Sequence, residues 1–156
     1  MKSHLNKEIY GIGCSAHVVH NGIKAAADCL PLDCEIFVGK VYQFFHIYTV
    51  RTEELKDFCE FCEVEYGRVQ SFSRSRFLAL LPGLERMLQL FKALKSYFLS
   101  AHKVPVTIMK FLEDPAAEFW LYFLHAQAFM FHNAVLELEG DLMTVTAAAA
   151  VSLLCS

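Results

Sequence analysis

Charge is scarce in this chain. Only 20% of its 156 residues are Asp, Glu, Lys or Arg, and 14 basic residues face 17 acidic ones for a formal charge of -3. That balance supplies no broad positive footprint for a phosphate backbone. Uninterrupted apolar runs are also missing. The greasiest stretch, "FWLYFLHAQAFMFHNAVL", is broken by His125, Gln127, His132 and Asn133 before it reaches the ~18 apolar residues that a bilayer span needs. The amino terminus, "MKSHLNKEIYGIG", lacks the apolar core of a secretory leader, so the chain is expected not to be secreted. In a reducing compartment its cysteines, at 14, 29, 34, 59, 62 and 155, read as buried thiols rather than disulfides. Glycine-rich phosphate loops are absent too, since "GIGC" is only a fragment of one. No small-molecule substrate or cofactor is expected.

What the chain does have is hydrophobic bulk. Apolar residues make up 55% of it, including 14 phenylalanines against a single tryptophan, and 156 residues suffice for one domain with its own core. This is more apolar surface than a lone soluble domain usually hides, and part of it is expected to meet a partner or a missing part of the same protein.

The patterning is helical. "EIYGIGC" reads as one short strand or turn feeding a helix that runs from Ser15 to Cys29. Phe37, Val38, Val41, Phe44, Phe45 and Tyr48 recur at helical spacing behind Asp33, a candidate cap. Thr52 opens a further predicted helix with Glu53 and Glu54 in its first turn, where the helix dipole favours anions. After the loop "GRVQSFSRS", the longest predicted segment runs from about Arg76 to Ser100, with Pro82 near its start and Phe77, Leu81, Leu84, Leu88, Phe91, Leu94 and Phe98 three or four residues apart. Its stripe lacks the charged flanks of a zipper, so core packing is the better reading. A last helix is framed by Asp114 and Pro115 at one end and Gly140 at the other; apolar residues cover most of its circumference. Beyond it, residues 141–156 change to a small, nearly uncharged composition and read as an atypical tail.

Several constellations invite a chemical reading. Cys14, His17 and His20 stand three residues apart, but on a helix Cys14 and His20 are separated by roughly 9 Å along the axis, too far for one tetrahedral ion. Cys59 and Cys62 form a C-x2-C whose spacer lies in a helical run rather than a tight turn, which favours core thiols over zinc. An independent zinc module stays open as an alternative, although no metal is expected. His125 and His132 read as satisfied interior histidines. Arg68, Arg74 and Arg76, with Lys92, Lys95 and Lys103 further on, are the candidate nucleic-acid contacts; the bland reading of the arginines is a solvated loop. The aspartates at 28, 33, 57, 114 and 141 do not gather as a two-metal centre requires.

Taken in order, "IYGIGCSAHVVHN", "FFHIYTVRTEELKDFCEF", "SRSRFLALLPGLERML", "ALKSYFLS" and "AEFWLYFLHAQAFMFHNAVLELEG" resemble the hAT superfamily of DNA transposases, and more closely its vertebrate domesticated copies in zinc-finger and SUMO-ligase-like proteins. The resemblance covers residues 8 to 140. It implies a mainly α chain: a strand or turn at the edge of an RNase H-like domain over 8–30, then the all-helical insertion domain over 33–140. Cys14 and His17 match the family's Cys-x2-His motif beside the catalytic centre. Arg76 and Phe77 fall where the family usually has Arg-Trp, and phenylalanine there keeps a stacking face without the indole N–H. The two aspartates and the glutamate that hold the catalytic metals in this family have no counterpart here, which implies a catalytically inactive chain. By the same resemblance the location is nuclear, and otherwise it is cytoplasmic; the wide apolar faces at 77–98 and 119–138 point to association with a protein partner or a second copy, with DNA contact as the alternative.

Overall fold

The computed structural model describes residues 15–72 and 77–139. Six α-helices carry nearly all of the regular structure: α1 Ser15–Ala27, α2 Cys34–His46, α3 Thr49–Phe61, α4 Leu81–Ser100, α5 Val106–Glu113 and α6 Ala117–Glu139. A 3-10 turn at Phe77–Leu80 leads into α4, and the described residues include no strand. The fold is therefore mainly α, as expected. The strand or turn expected at 8–14 lies outside the described residues, as do Gly140 and the tail 141–156.

Local chemistry sets several of the boundaries. The Asp33 carboxylate accepts from the Ile36 N–H at 2.8 Å and caps α2, satisfying one of the donors that every helix start leaves open. Phe37, Val38, Val41, Phe44 and Phe45 then form one buried stripe. Tyr48 does not continue it, because α2 stops at His46 and Tyr48 becomes the residue that precedes α3.

Helix α3 begins at Thr49, three residues before the expected start, and both the N–H and the hydroxyl of Thr52 donate to the Tyr48 carbonyl. This shift moves Glu53 and Glu54 out of the first turn, away from the positive end of the dipole. They find local partners instead: Glu53 pairs with Lys56 at 2.8 Å, and Glu54 accepts from Tyr97 at 2.9 Å.

The end of α3 is closed by backbone. Val64 N–H reaches back to the Cys59 carbonyl at 2.9 Å while Glu63 takes a φ of 57°, the left-handed conformation of a Schellman cap. Lys92 Nζ adds a 3.2 Å bond to the Cys62 carbonyl. Pro82 falls within the first turn of α4, where its missing N–H costs nothing. At 23 residues α6 is longer than α4, which has 20. It starts later than expected: Asp114 accepts from Ala116 N–H at 2.7 Å and caps a turn containing Pro115, and the helix proper begins at Ala117.

Helix α4 is the spine. Its buried residues Leu84, Met87, Leu90, Leu94 and Phe98 face α2, α3, α5 and α6, and α6 lies against both α1 and α4. The short helix α5, which no signal in residues 101–113 announced, buries Ile108, Phe111 and Leu112 against α2. There the rings of Phe111 and Phe37 stack at 3.9 Å between centroids and 11° between planes. Phe44, Phe45, Tyr97 and Phe98 form an aromatic cluster between α2 and α4, with centroids 5.1 to 6.1 Å apart, mostly edge to face.

Candidate functional site

The residues singled out from the sequence are distributed over several surfaces. His17 is exposed on α1, and Cys14 and Arg76 lie outside the described residues. Phe77 opens the 3-10 turn. His20, one turn after His17, is half-buried, and its Nδ1 accepts from the Leu78 N–H at 3.4 Å. The helix carrying His17 and His20 is thereby held against the 3-10 turn that Phe77 opens.

Among the described residues the candidate nucleic-acid contacts Arg68 and Lys103 do not share a cleft. Arg68 is exposed beside Tyr42, His46, Glu53 and Tyr66. Lys103 is exposed and lines a separate cleft with Phe44, Tyr48, Arg51, Glu54 and Tyr97. Lys92 is engaged at the end of α3, and Lys95 is half-buried on α4. Arg74, like Arg76, lies outside the described residues.

Sequence reasoning missed Arg51. Its guanidinium sits 4.0 Å from the Phe44 ring centroid and 3.9 Å from that of Tyr48, and it donates to the Phe44 carbonyl at 3.0 Å. The only signal was the spacing 44, 48, 51, which keeps the three side chains together across the break between α2 and α3.

Three of the four described cysteines behave as packing groups, and Cys29, expected to be buried, does not. Cys34, Cys59 and Cys62 are buried and Cys29 is exposed, all four as free thiols. Burial first, and then the neighbouring Asp33 charge, pushes the Cys34 thiol up to about 12. Burial also raises Cys59. Cys62 Sγ lies 3.6 Å from Ser96 Oγ on α4. Among the described residues no group of three or more His, Cys, Asp or Glu side chains could hold a metal ion. None of the described helices is long and apolar enough to cross a membrane.

The unusual surface is on α6. Its inner side buries Ala117, Leu121, Leu124, Ala128 and Val135 against α1 and α4. Its outer side leaves Phe119 60%, Tyr122 54%, Phe123 41%, Phe129 51%, Met130 60% and Leu136 54% exposed. At about 100° per residue these six, with exposed Ala126 and Asn133, fall within one arc opposite the buried stripe. The rings support one another along it: Phe119 stacks on Phe123 at 6.5 Å, and His125 stacks on Phe129 at 6.5 Å. Glu118 and Glu137 stand at its two ends, with no charged residue between them. An isolated exposed phenylalanine means little, but a run of large apolar side chains over five turns marks a surface built to be covered.

Comparison of the chain with protein-family models, with curated proteins and with solved structures finds no match.

Proposed function

We propose that this chain is a catalytically inactive, transposase-derived helical module that acts by binding another polypeptide through the outer face of α6. The observation that carries the reading is the two-sided burial pattern of that helix. One stripe closes the core, and a second, equally apolar stripe of Phe119, Phe123, Phe129 and Met130 stays 41% to 60% exposed among the described residues. Covering it is worth about 25 cal/mol for each Å2 removed from water, and six of the fourteen large apolar side chains left exposed among the described residues lie on α6.

The resemblance to hAT transposases supports the transposase-derived part of the proposal, and among the described residues no group of three or more His, Cys, Asp or Glu side chains gathers as a two-metal centre requires. Binding through α6 is preferred to DNA contact because Arg68 and Lys103 line different clefts and Lys92 is already bonded to Cys62. A nuclear location follows from the same resemblance.

The test is a Phe119→Ser, Phe123→Ser, Phe129→Ser variant compared with the native chain for binding of an apolar-surface dye and for association measured by sedimentation. Loss of both with an unchanged helical circular dichroism spectrum is the expected result. A native chain that binds no dye and forms no complex would refute the proposal.

A further inference from the structure

We infer that the polypeptide covering α6 is a second copy of this chain, packed antiparallel about a twofold axis that passes beside Ala126. This deepens the reading above and depends on it. Three observations carry it.

The first is the symmetry of the stripe. Ala126 is the one small exposed side chain at its middle, and large apolar residues flank it at equal steps on both sides: Phe123 and Phe129 at three residues, Tyr122 and Met130 at four. Phe119 and Asn133 follow at seven. A twofold interface demands a patch that is complementary to itself. Antiparallel pairing through Ala126 sets Phe123 of each chain opposite Phe129 of the other and Tyr122 opposite Met130. The small centre lets the two backbones approach closely before the larger side chains interleave.

The second is charge. In a parallel pair Glu118 would face Glu118 and Glu137 would face Glu137, and like charges in register repel. The antiparallel pair sets Glu118 opposite Ala134 and carries Glu137 past the partner's Ala117. A charged partner finds nothing to pair with along the middle of the stripe.

The third is area. With about 200 Å2 for a large side chain, the six residues at 41% to 60% exposure present on the order of 600 Å2, so that two copies bury on the order of 1,200 Å2, the lower bound of a stable specific interface.

The full chain is tested by sedimentation velocity across micromolar concentrations and by self-crosslinking. Two cysteine variants, Ala126→Cys and Glu118→Cys, are made in a background with the six native cysteines changed to serine or alanine. The proposal expects a dimer, an intermolecular disulfide at 126 and none at 118, and a dissociation constant at least about thirtyfold higher than native in Phe123→Glu and, independently, in Phe129→Glu. Both phenylalanines are on the surface, so a native-like dichroism spectrum in either variant separates lost association from lost fold. Efficient disulfides at both 118 and 126 indicate parallel pairing and overturn the proposed arrangement. A monomer that binds apolar dye overturns the second copy while leaving a different protein partner in place, and a monomer that binds none removes both readings. A monomer whose dye binding appears only when residues 141–156 are deleted shows that the chain covers α6 itself, which also overturns the proposal.

Discussion

The hydroxyl of Tyr97 on α4 donates to the Glu54 carboxylate on α3 at 2.9 Å, a contact between residues 43 positions apart. Burial and, after it, this hydrogen bond push the Tyr97 phenol up from 10.0 to about 12. A phenol is neutral when protonated, so a raised value means that the folded state holds its proton more tightly than the unfolded chain does. The contribution is complete below pH 10 and is lost as the pH rises from 10 through about 12. Cys34 acts in the same sense, from its ordinary 9.0 to about 12. Thermal melts across this range are expected to show a falling alkaline limb that flattens in Tyr97→Phe. Near neutrality the same variant costs only about 0.5–1.5 kcal/mol, since Glu54 remains exposed to water. An alkaline limb identical in Tyr97→Phe and the native chain would show that the phenol does not control it.

Thiol chemistry discriminates between the cysteines. The thiolate is the reactive form, and Cys34 is both buried and held near 12, whereas Cys29 is exposed at the end of α1. Alkylation of the folded chain at neutral pH, read out by peptide mass spectrometry, is expected to modify Cys29 at least tenfold faster than Cys34, Cys59 or Cys62, on the order of the exposure difference that governs such reactions. Denaturant is expected to remove the difference. Equal rates in the folded chain would mean that α2 and α3 open readily.

Glu63 holds a φ of 57°, a conformation that costs a residue with a β-carbon roughly 1 kcal/mol and glycine almost nothing. Replacing it is expected to raise stability: Glu63→Gly by about 0.5 kcal/mol after the added freedom of the unfolded chain is subtracted. The check is a higher denaturation midpoint at an unchanged slope. A lower midpoint would show that the side chain itself stabilises the turn.

Which parts of this fold were legible depended on how local their physics is. The Asp33 cap was readable because its carboxylate needs only an N–H three residues away. The stripe of α2 was readable because its spacing alone separates inside from outside. The start of α3 was misplaced because Thr52 has the chemistry of a helix start yet spends its hydroxyl on Tyr48 one turn earlier. Helix α5 went unread because eight residues are too few to establish a rhythm, and it is the Phe37–Phe111 stack, a contact 74 positions apart, that holds it. The same limit applied to α6. Its all-round apolar character was evident, but which half faces α4 is decided by the packing of α1 and α4. The Tyr97–Glu54 pair, the Arg51 sandwich and the His20–Leu78 bond join elements whose proximity exists only after folding.

The opposed stripes of α6 divide the consequences of mutation between two phenotypes. Replacing Leu121, Leu124 or Ala128 with a polar residue strikes the interior, whereas the same change at Phe119, Phe123 or Phe129 falls mainly on the outer face. On the proposed association, sequence drift along this helix abolishes assembly in single steps while the monomer keeps its shape, or erodes folding while the outer residues stay intact. A hydropathy profile, which averages around the axis, is blind to the difference.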